Sequence, residues 1–282
     1  MIFRARQHEF VFPRPALVMG VVNVTPDSFS DGGKFLPTDA AVAHGLKLAD
    51  QGAQILDIGG ESTRPGAEPV SEPEELRRVM PVIEKLAGKT KAILSIDTMK
   101  PGVARAALAA GASIINDVAA GRENAAGMWQ VAVEFQAGYV CMHAQGLPPT
   151  MQKNPMYADV VREVGDFFSS QLKKMTEAGV AMEQVVLDPG IGFGKLLEHN
   201  LKLLAGLENF KTLGRPLLLG VSRKSFLQKI TGAGVNERLP AALACATLAV
   251  ANGVQIIRTH DVAEIVQALR MTEAVLNQKR NA

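Results

Sequence analysis

Short apolar runs alternate along this chain with amphipathic stretches, on a scale too regular to be accidental. Strand-like runs end near Asn23, Asp57, Asp97, Asn116, Met142, Asp188, Gly220 and Arg258. Their length and branching are those of strands buried on both faces. Helical spacing fills the intervals. Leu76, Val79, Ile83 and Leu86 recur three or four apart behind Ser71-x-x-Glu74, which reads as a capping box. Pro101 falls in the first turn of the next helix, where a missing N–H is harmless. Val160, Val161, Val164, Phe167, Phe168 and Leu172 mark another helix. Asp261-x-x-Glu264 caps the last, with Val262, Ile265, Val266 and Leu269 on one face, and Pro81 predicts a kink in its own helix. Eight strands alternating with helices predict an α/β fold, a (β/α)8 TIM barrel forming one domain over residues 1–282. Residues 1–12 precede the first barrel strand and predict a short N-terminal β-hairpin that closes the barrel bottom.

In such barrels the reactive groups gather where the strands end, in the βα loops. Here nearly every strand end carries a polar residue. Asn23-Val24-Thr25-Pro26-Asp27-Ser28-Phe29-Ser30-Asp31-Gly32-Gly33 crowds six side-chain oxygens into a segment longer than a plain connector, which suggests a binding or lid loop. Gly59–Gly66 combines hydroxyls, Arg64 and glycines, as a lid over an anion would. Asp97, Asn116-Asp117 and Asp188 are expected to converge on the mouth, where buried acceptors need donors; a heterocycle rich in N–H groups supplies them. Asp188–Lys195 misses the dinucleotide fingerprint, because its third glycine comes one residue early. It misses the P-loop because Pro189 stands at the first glycine and Leu196 follows the lysine. It reads as a loop whose glycines admit a flat ligand, with Phe193 exposed to it. Gly220–Ser225 and Arg258–Asp261 follow strands seven and eight, the usual phosphate-binding place in this fold, and Arg258 and His260 suit a phosphate or pyrophosphate. His143 lies near the mouth and fits a structural role as well as a functional one; His8, His44 and His199 read as surface residues.

Composition removes other classes. With 282 residues, 47% of them hydrophobic, the chain can bury a large core. The thirty basic residues are scattered and the formal net charge is +2, so neither a nucleic-acid stripe nor a polybasic membrane patch is expected. Arg4, Arg6 and Arg14 precede an apolar run, but it is short and lacks a small-residue cleavage site, unlike a signal peptide. Leu239–Ala251 is too short to cross a bilayer and reads as a buried helix. Cys141 and Cys245 sit in apolar stretches, as unbonded thiols do in a reducing compartment. The expectation is a cytoplasmic protein with neither nucleic-acid nor membrane partners.

Taken together, Asn23–Gly33, Gly60–Gly66, Asp97-Thr98, Ile115-Asn116-Asp117, Asp188–Lys195, Gly220–Ser225 and Arg258–Val262 resemble, in order and spacing, the successive motifs of the dihydropteroate synthase family. The resemblance spans essentially the whole chain. It departs in small ways, with Ala144 where the family often has Met and a varied Val118-Ala119-Ala120 loop. It implies condensation of 7,8-dihydropterin-6-ylmethyl diphosphate with 4-aminobenzoate to 7,8-dihydropteroate and pyrophosphate, in folate biosynthesis, with sulfonamides competing as inhibitors. It implies Mg²⁺ on Asn23, with Asp97, Asn116, Asp188 and Lys224 on the pterin ring and Thr63, Arg258 and His260 on the diphosphate. Phe29, Pro65, Phe193, Ser222 and Ser225 would surround the aminobenzoate, with Thr63 and Arg64 ordering the lid; Asp97, Asp188, Lys224 and Arg258 would carry the catalysis. A homodimer through the apolar helix around Leu239–Ala251 is implied as well. A methyltetrahydrofolate-type methyltransferase would share the ring-edge residues without needing Arg258 and His260 or the two lids. A non-catalytic pterin-binding paralogue would have lost one of Asn23, Asp97, Lys224 or Arg258, and all are present.

Overall fold

The apolar runs form the staves of a parallel barrel in the computed structural model, which describes residues 1–25, 36–62, 67–119, 125–146, 151–152 and 154–280. A two-stranded antiparallel hairpin, β1 (Ile2–Ala5) and β2 (His8–Val11), comes first. The barrel strands are β3 (Leu17–Asn23), β4 (Ile55–Gly59), β5 (Ile93–Asp97), β6 (Ile114–Asp117), β7 (Gly138–Met142), β8 (Val185–Asp188), β9 (Leu218–Gly220) and β10 (Ile256–Thr259). Helices α1 (Leu36–Asp50), α2 (Glu72–Ala87), α3 (Pro101–Ala109), α4 (Ala125–Phe135), α5 (Val160–Glu177), α6 (Leu197–Ala205), α7 (Ser225–Thr231), α8 (Leu239–Ala251) and α9 (Val262–Arg280) form the outer layer. The strand order is β8-β7-β6-β5-β4-β3-β10-β9, all pairs parallel. A parallel bridge from Leu187 to Leu217, with Leu187 N donating to Pro216 O at 2.9 Å, joins the two ends of the sheet.

Strand side chains alternate in direction, and the alternation sorts the core into two bodies. Val18, Val22, Leu56, Ile58, Leu94, Ile96, Ile115 and Leu187 face outward and pack under the helices. Leu17, Met19, Ile55, Ile93, Ile114, Val140, Val186, Leu218 and Ile256 face inward, where Phe3, Ala5, Phe10 and Phe12 complete their cluster from below. The hairpin thus plugs the bottom as expected. Phe3 and Phe10 stack at 5.7 Å, and Gly138 makes room for them, since a Cβ there would sit 2.7 Å from the Phe3 ring. Two residues further along the same inward rows the lining turns polar, with Asp57, Ser95, Asn116 and Arg258. The bottom layer stabilises and the layer above it can react.

Local signals fared unevenly. Asp159 caps α5 through bonds from Val161 N and Arg162 N, both 3.1 Å, and Val160, Val164, Phe168, Leu172 and Met175 form its buried face. Ser71 stands at the N-cap of α2 but its side chain makes no cap bond; Glu74 is drawn instead to Arg77 and Arg78. The expected capping box is therefore absent. Helix α2 continues through Pro81 to Ala87. Helix α8 is not the buried helix expected: Ala242, Ala246 and Ala249 are covered, while Leu248 is 64% exposed. An outer-layer helix is covered on one side only, whatever its composition. Among the described residues no helix is long and apolar enough to cross a membrane. Cys141 is buried, Cys245 half-buried, and neither is in a disulfide.

Candidate active site at the barrel mouth

The strand register places the predicted residues at one level. Asn23 pairs with Gly59, Gly59 with Asp97, and Asp97 with Asn116. One layer below, Asp57 has no solvent exposure and accepts three hydrogen bonds: from Ser95 Oγ at 2.6 Å, Asn116 Nδ2 at 2.9 Å and Arg258 Nε at 2.7 Å. Arg258 also donates through Nη2 to Asp97 Oδ2 at 2.8 Å, so one guanidinium bridges two carboxylates across the barrel. These are charge-assisted bonds in a region of low dielectric, where geometry is held most firmly. Since its amide nitrogen serves Asp57, Asn116 keeps its oxygen as an acceptor for a ligand.

Titration follows from this crowding. Burial first, with the Asp57 carboxylate adding to it, pushes Asp97 up to about 8, although Arg258 pulls the other way. Burial raises Asp188 too, opposed chiefly by Lys224. Burial lowers Lys224 to about 8 despite the opposing pull of Asp188. The mouth therefore holds groups whose charge changes readily near neutrality, as reactive sites tend to.

The loop after β8 folds back over this level. Asp188 Oδ1 accepts from Gly190 N at 2.7 Å, and Gly192 N donates to Asn200 Oδ1 at 2.7 Å. Gly190 is obligatory, with φ +65° and a hypothetical Cβ only 1.9 Å from His143 O. Lys224, at the head of α7, donates to Ile191 O and sets its ammonium 4.7 Å from the centre of the half-buried Phe193 ring. Phe193 packs against Val118, Met142 and Ala144, an apolar wall facing the charged one. The loops after β9 and β10 clasp each other: His260 N and Nδ1 lie 3.2 and 3.0 Å from Ser222 Oγ, and Arg223 donates to Asp261 at 2.7 Å. Ser225 is exposed at the start of α7.

This arrangement gathers acceptors suited to a flat, donor-rich ring, with the cationic Arg258 and Lys224 beside them. Residues 19–260 match the sequence profile of the pterin binding enzymes. The chain is 48% identical over 264 residues to the dihydropteroate synthase of Escherichia coli (strain K12), covering 94% of this chain and 93% of that one. The chain belongs to the pterin binding enzymes, among the dihydropteroate synthases. Its fold is similar to that of the Yersinia pestis dihydropteroate synthase in a sulfonamide drug complex, with TM-score 0.92 and 43% identity over 98% of this chain and 100% of that one. It is likewise similar to Xanthomonas albilineans dihydropteroate synthase with 4-aminobenzoic acid, with TM-score 0.91 and 45% identity over 98% of both chains.

Within that family frame, the structure gathers Asn23, Asp97, Asn116, Asp188, Phe193, Ser222, Lys224, Arg258 and His260 around the mouth, with Ser225 at its rim. Phe29, Thr63, Arg64 and Pro65, together with all of the expected lid at 25–33 except Thr25, lie outside the described residues. Asp57 is the residue sequence reasoning missed. Its signal was a single carboxylate inside Ile55-Leu56-Asp57-Ile58, and the strand runs two residues past it to Gly59. Asp117 was expected at the mouth; it faces outward and accepts from Tyr139 OH at 2.7 Å and Ala119 N at 2.8 Å. Adjacent strand residues cannot both face inward. His199 was expected at the surface but is 7% exposed, its Nδ1 accepting from Leu196 N at 3.2 Å.

Proposed function

We propose that this chain condenses 7,8-dihydropterin-6-ylmethyl diphosphate with 4-aminobenzoate, releasing pyrophosphate and forming 7,8-dihydropteroate. One observation carries the reading: Arg258 clamped between Asp57 and Asp97, beside Asn116 and Asp188, in the top two layers of the barrel at its C-terminal face. Carboxylate and amide oxygens there accept the N–H edge of a pterin, and Lys224 donates to it. Arg258, Ser222 and His260 form the side from which a diphosphate departs. Phe193 and the hydroxyls of Ser222 and Ser225 suit an aryl acid, and the family resemblance adds Phe29, Thr63, Arg64 and Pro65 to this substrate's side. The likeness to a relative that holds 4-aminobenzoic acid supports this second substrate, and the relative in a sulfonamide complex supports competition by such inhibitors.

An arylamine is a weak nucleophile, so the chemistry starts at the other partner. The C–O bond of the pterin methylene breaks, its electrons leave with the diphosphate, and a delocalised cation remains. The amine then attacks and loses a proton. Arg258 and His260 stabilise the departing charge; Asp97 and Asp188, ionised once the ring's N–H groups are in place, stabilise the cation. A cation of this kind reacts with water, which is why closing loops belong to the mechanism.

The donor set fits Mg²⁺ held chiefly by water and substrate. Among the described residues no three His, Cys, Asp or Glu side chains are grouped as metal ligands, and Asn23 offers one half-buried amide oxygen at the strand end. When bound, the ion neutralises diphosphate charge. Leu248 on α8 and Met271 on α9 are 64% and 65% exposed, apolar side chains suited to burial against a second copy of the chain. Cys141 and Cys245, neither in a disulfide, favour a reducing, cytoplasmic setting. The deciding assay measures pyrophosphate from purified protein with both substrates and Mg²⁺. Release that requires 4-aminobenzoate supports the reading; folded protein that releases none overturns it.

A further inference from the structure

The lysine that ends the β8–α6 loop takes no part in the chemistry above, yet it is among the most deeply buried charges in the molecule. Lys195 is 3% exposed. Its ammonium lies 3.0 Å from Gly190 O, 3.0 Å from Phe193 O, 3.2 Å from His143 O and 3.0 Å from His143 Nδ1. An ammonium only donates, so Nδ1 is the unprotonated ring nitrogen. These acceptors come from two walls of one site: His143 follows β7, and Gly190 and Phe193 belong to the loop after β8. The walls touch closely. Gly194 has φ +60°, and a Cβ there would sit 2.2 Å from Gln145 O.

The loop thus seated meets the substrate groups at three places. Gly190 N holds Asp188 Oδ1, Ile191 O takes the Lys224 ammonium, and the Phe193 ring lies under that ammonium. Burying an ammonium is expensive, and its three N–H donors, shared among three carbonyl oxygens and His143 Nδ1, make contacts that no apolar side chain provides. We propose that Lys195 is a positioning residue whose buried ammonium clips the β8–α6 loop to the end of β7 and so sets Asp188, Phe193 and Lys224 around the ring. This rests on the function proposed above. It adds a residue that acts through others and touches neither substrate.

The test is Lys195→Met, which keeps length and removes the donors. Three quantities are measured: amide exchange at Gly190, Gly192 and Phe193, all hydrogen-bonded here; affinity for a dihydropterin lacking the diphosphate; and kcat per folded molecule. Exchange should accelerate about tenfold at those amides while β8 stays protected, because the loop opens locally. Affinity should weaken about tenfold, and kcat should fall on the order of 100-fold, as for a displacement of about an ångström at the reacting groups. A purely structural lysine would lower the unfolding midpoint and leave kcat per folded molecule unchanged. Unchanged exchange, or unchanged kcat and affinity, overturns the proposal. Should the Met variant not fold, Lys195→Gln, which retains two N–H donors without the charge, is read by the same measurements. Wild-type protein that binds the pterin yet releases no pyrophosphate defeats the functional reading alone, and exchange and affinity then decide Lys195.

Discussion

Replacing Asp57 by Asn tests the charged network at its centre. The side chain keeps its shape but loses its charge, and one of its two acceptors becomes a donor. Three donors face it now, at 2.6, 2.7 and 2.9 Å. The amide is best accommodated with its oxygen toward Arg258 and Asn116 and its nitrogen toward Ser95, whose hydroxyl can turn to accept. The Ser95 and Asn116 bonds then fall from the charge-assisted class, worth about 1.5–3 kcal/mol, to the neutral class at about 1 kcal/mol, while the Arg258 bond keeps a charged donor. Two such bonds lose about 1–4 kcal/mol. Arg258 keeps Asp97 and retains 23% exposure, so the isolated-charge penalty is not reached. Relief of Asp97 from a like charge returns part, leaving about 2 kcal/mol at pH 7.

The pH dependence adds an independent sign. Asp97 is raised to about 8 in the folded protein, so its stabilising contribution is full below the ordinary aspartate range and is lost as pH climbs through about 8. In Asp57→Asn that carboxyl drops toward its ordinary value and the slope flattens. Urea unfolding of both proteins should therefore show a stability gap that narrows between pH 5.5 and 8. A loss under about 0.5 kcal/mol at pH 7, or a gap that widens with pH, would refute the reasoning.

Three other outcomes follow from the same geometry. Asp97→Asn should lower turnover on the order of 100-fold while the KM for aminobenzoate stays within about threefold; steady-state kinetics showing equal losses would exclude a cation-stabilising role. Binding of a dihydropterin without diphosphate at pH 7 should release protons, since Asp97, raised to about 8, is mostly neutral there and the ring's donors need it ionised. Calorimetry in buffers of different ionisation enthalpy reads this, with release vanishing by about pH 9.5; no release at pH 7 contradicts it. Phe3→Ala opens the bottom plug and should destabilise by about 3–4 kcal/mol in urea, with turnover per folded molecule nearly unchanged, because that end of the barrel carries stability and not chemistry. A large loss of turnover in folded protein would place the hairpin in the catalytic machinery.

The chain's own pattern determined the architecture. Eight apolar runs separated by helical spacing admit few folds, since parallel strands buried on both faces must have helices outside them, and residues 1–12 before the first barrel strand could be read as a closing hairpin. The strand-end residues were legible for the same reason: polar groups that interrupt buried strands stand out. What lay beyond the sequence was direction and partnership. Asn116 and Asp117 are neighbours in the chain, yet the two-residue period sends one into the site and the other to Tyr139. Asp57 and Arg258 are 201 positions apart and meet only because β4 and β10 flank β3 in a closed ring. Glu74 and Ser71 had the spacing of a cap, but two arginines one turn on offered the carboxylate charge, a stronger draw than a backbone N–H open to water. Periodicity is a local property and survives translation into sequence. Charge partnership depends on which strands become neighbours, and the closed barrel alone decides that.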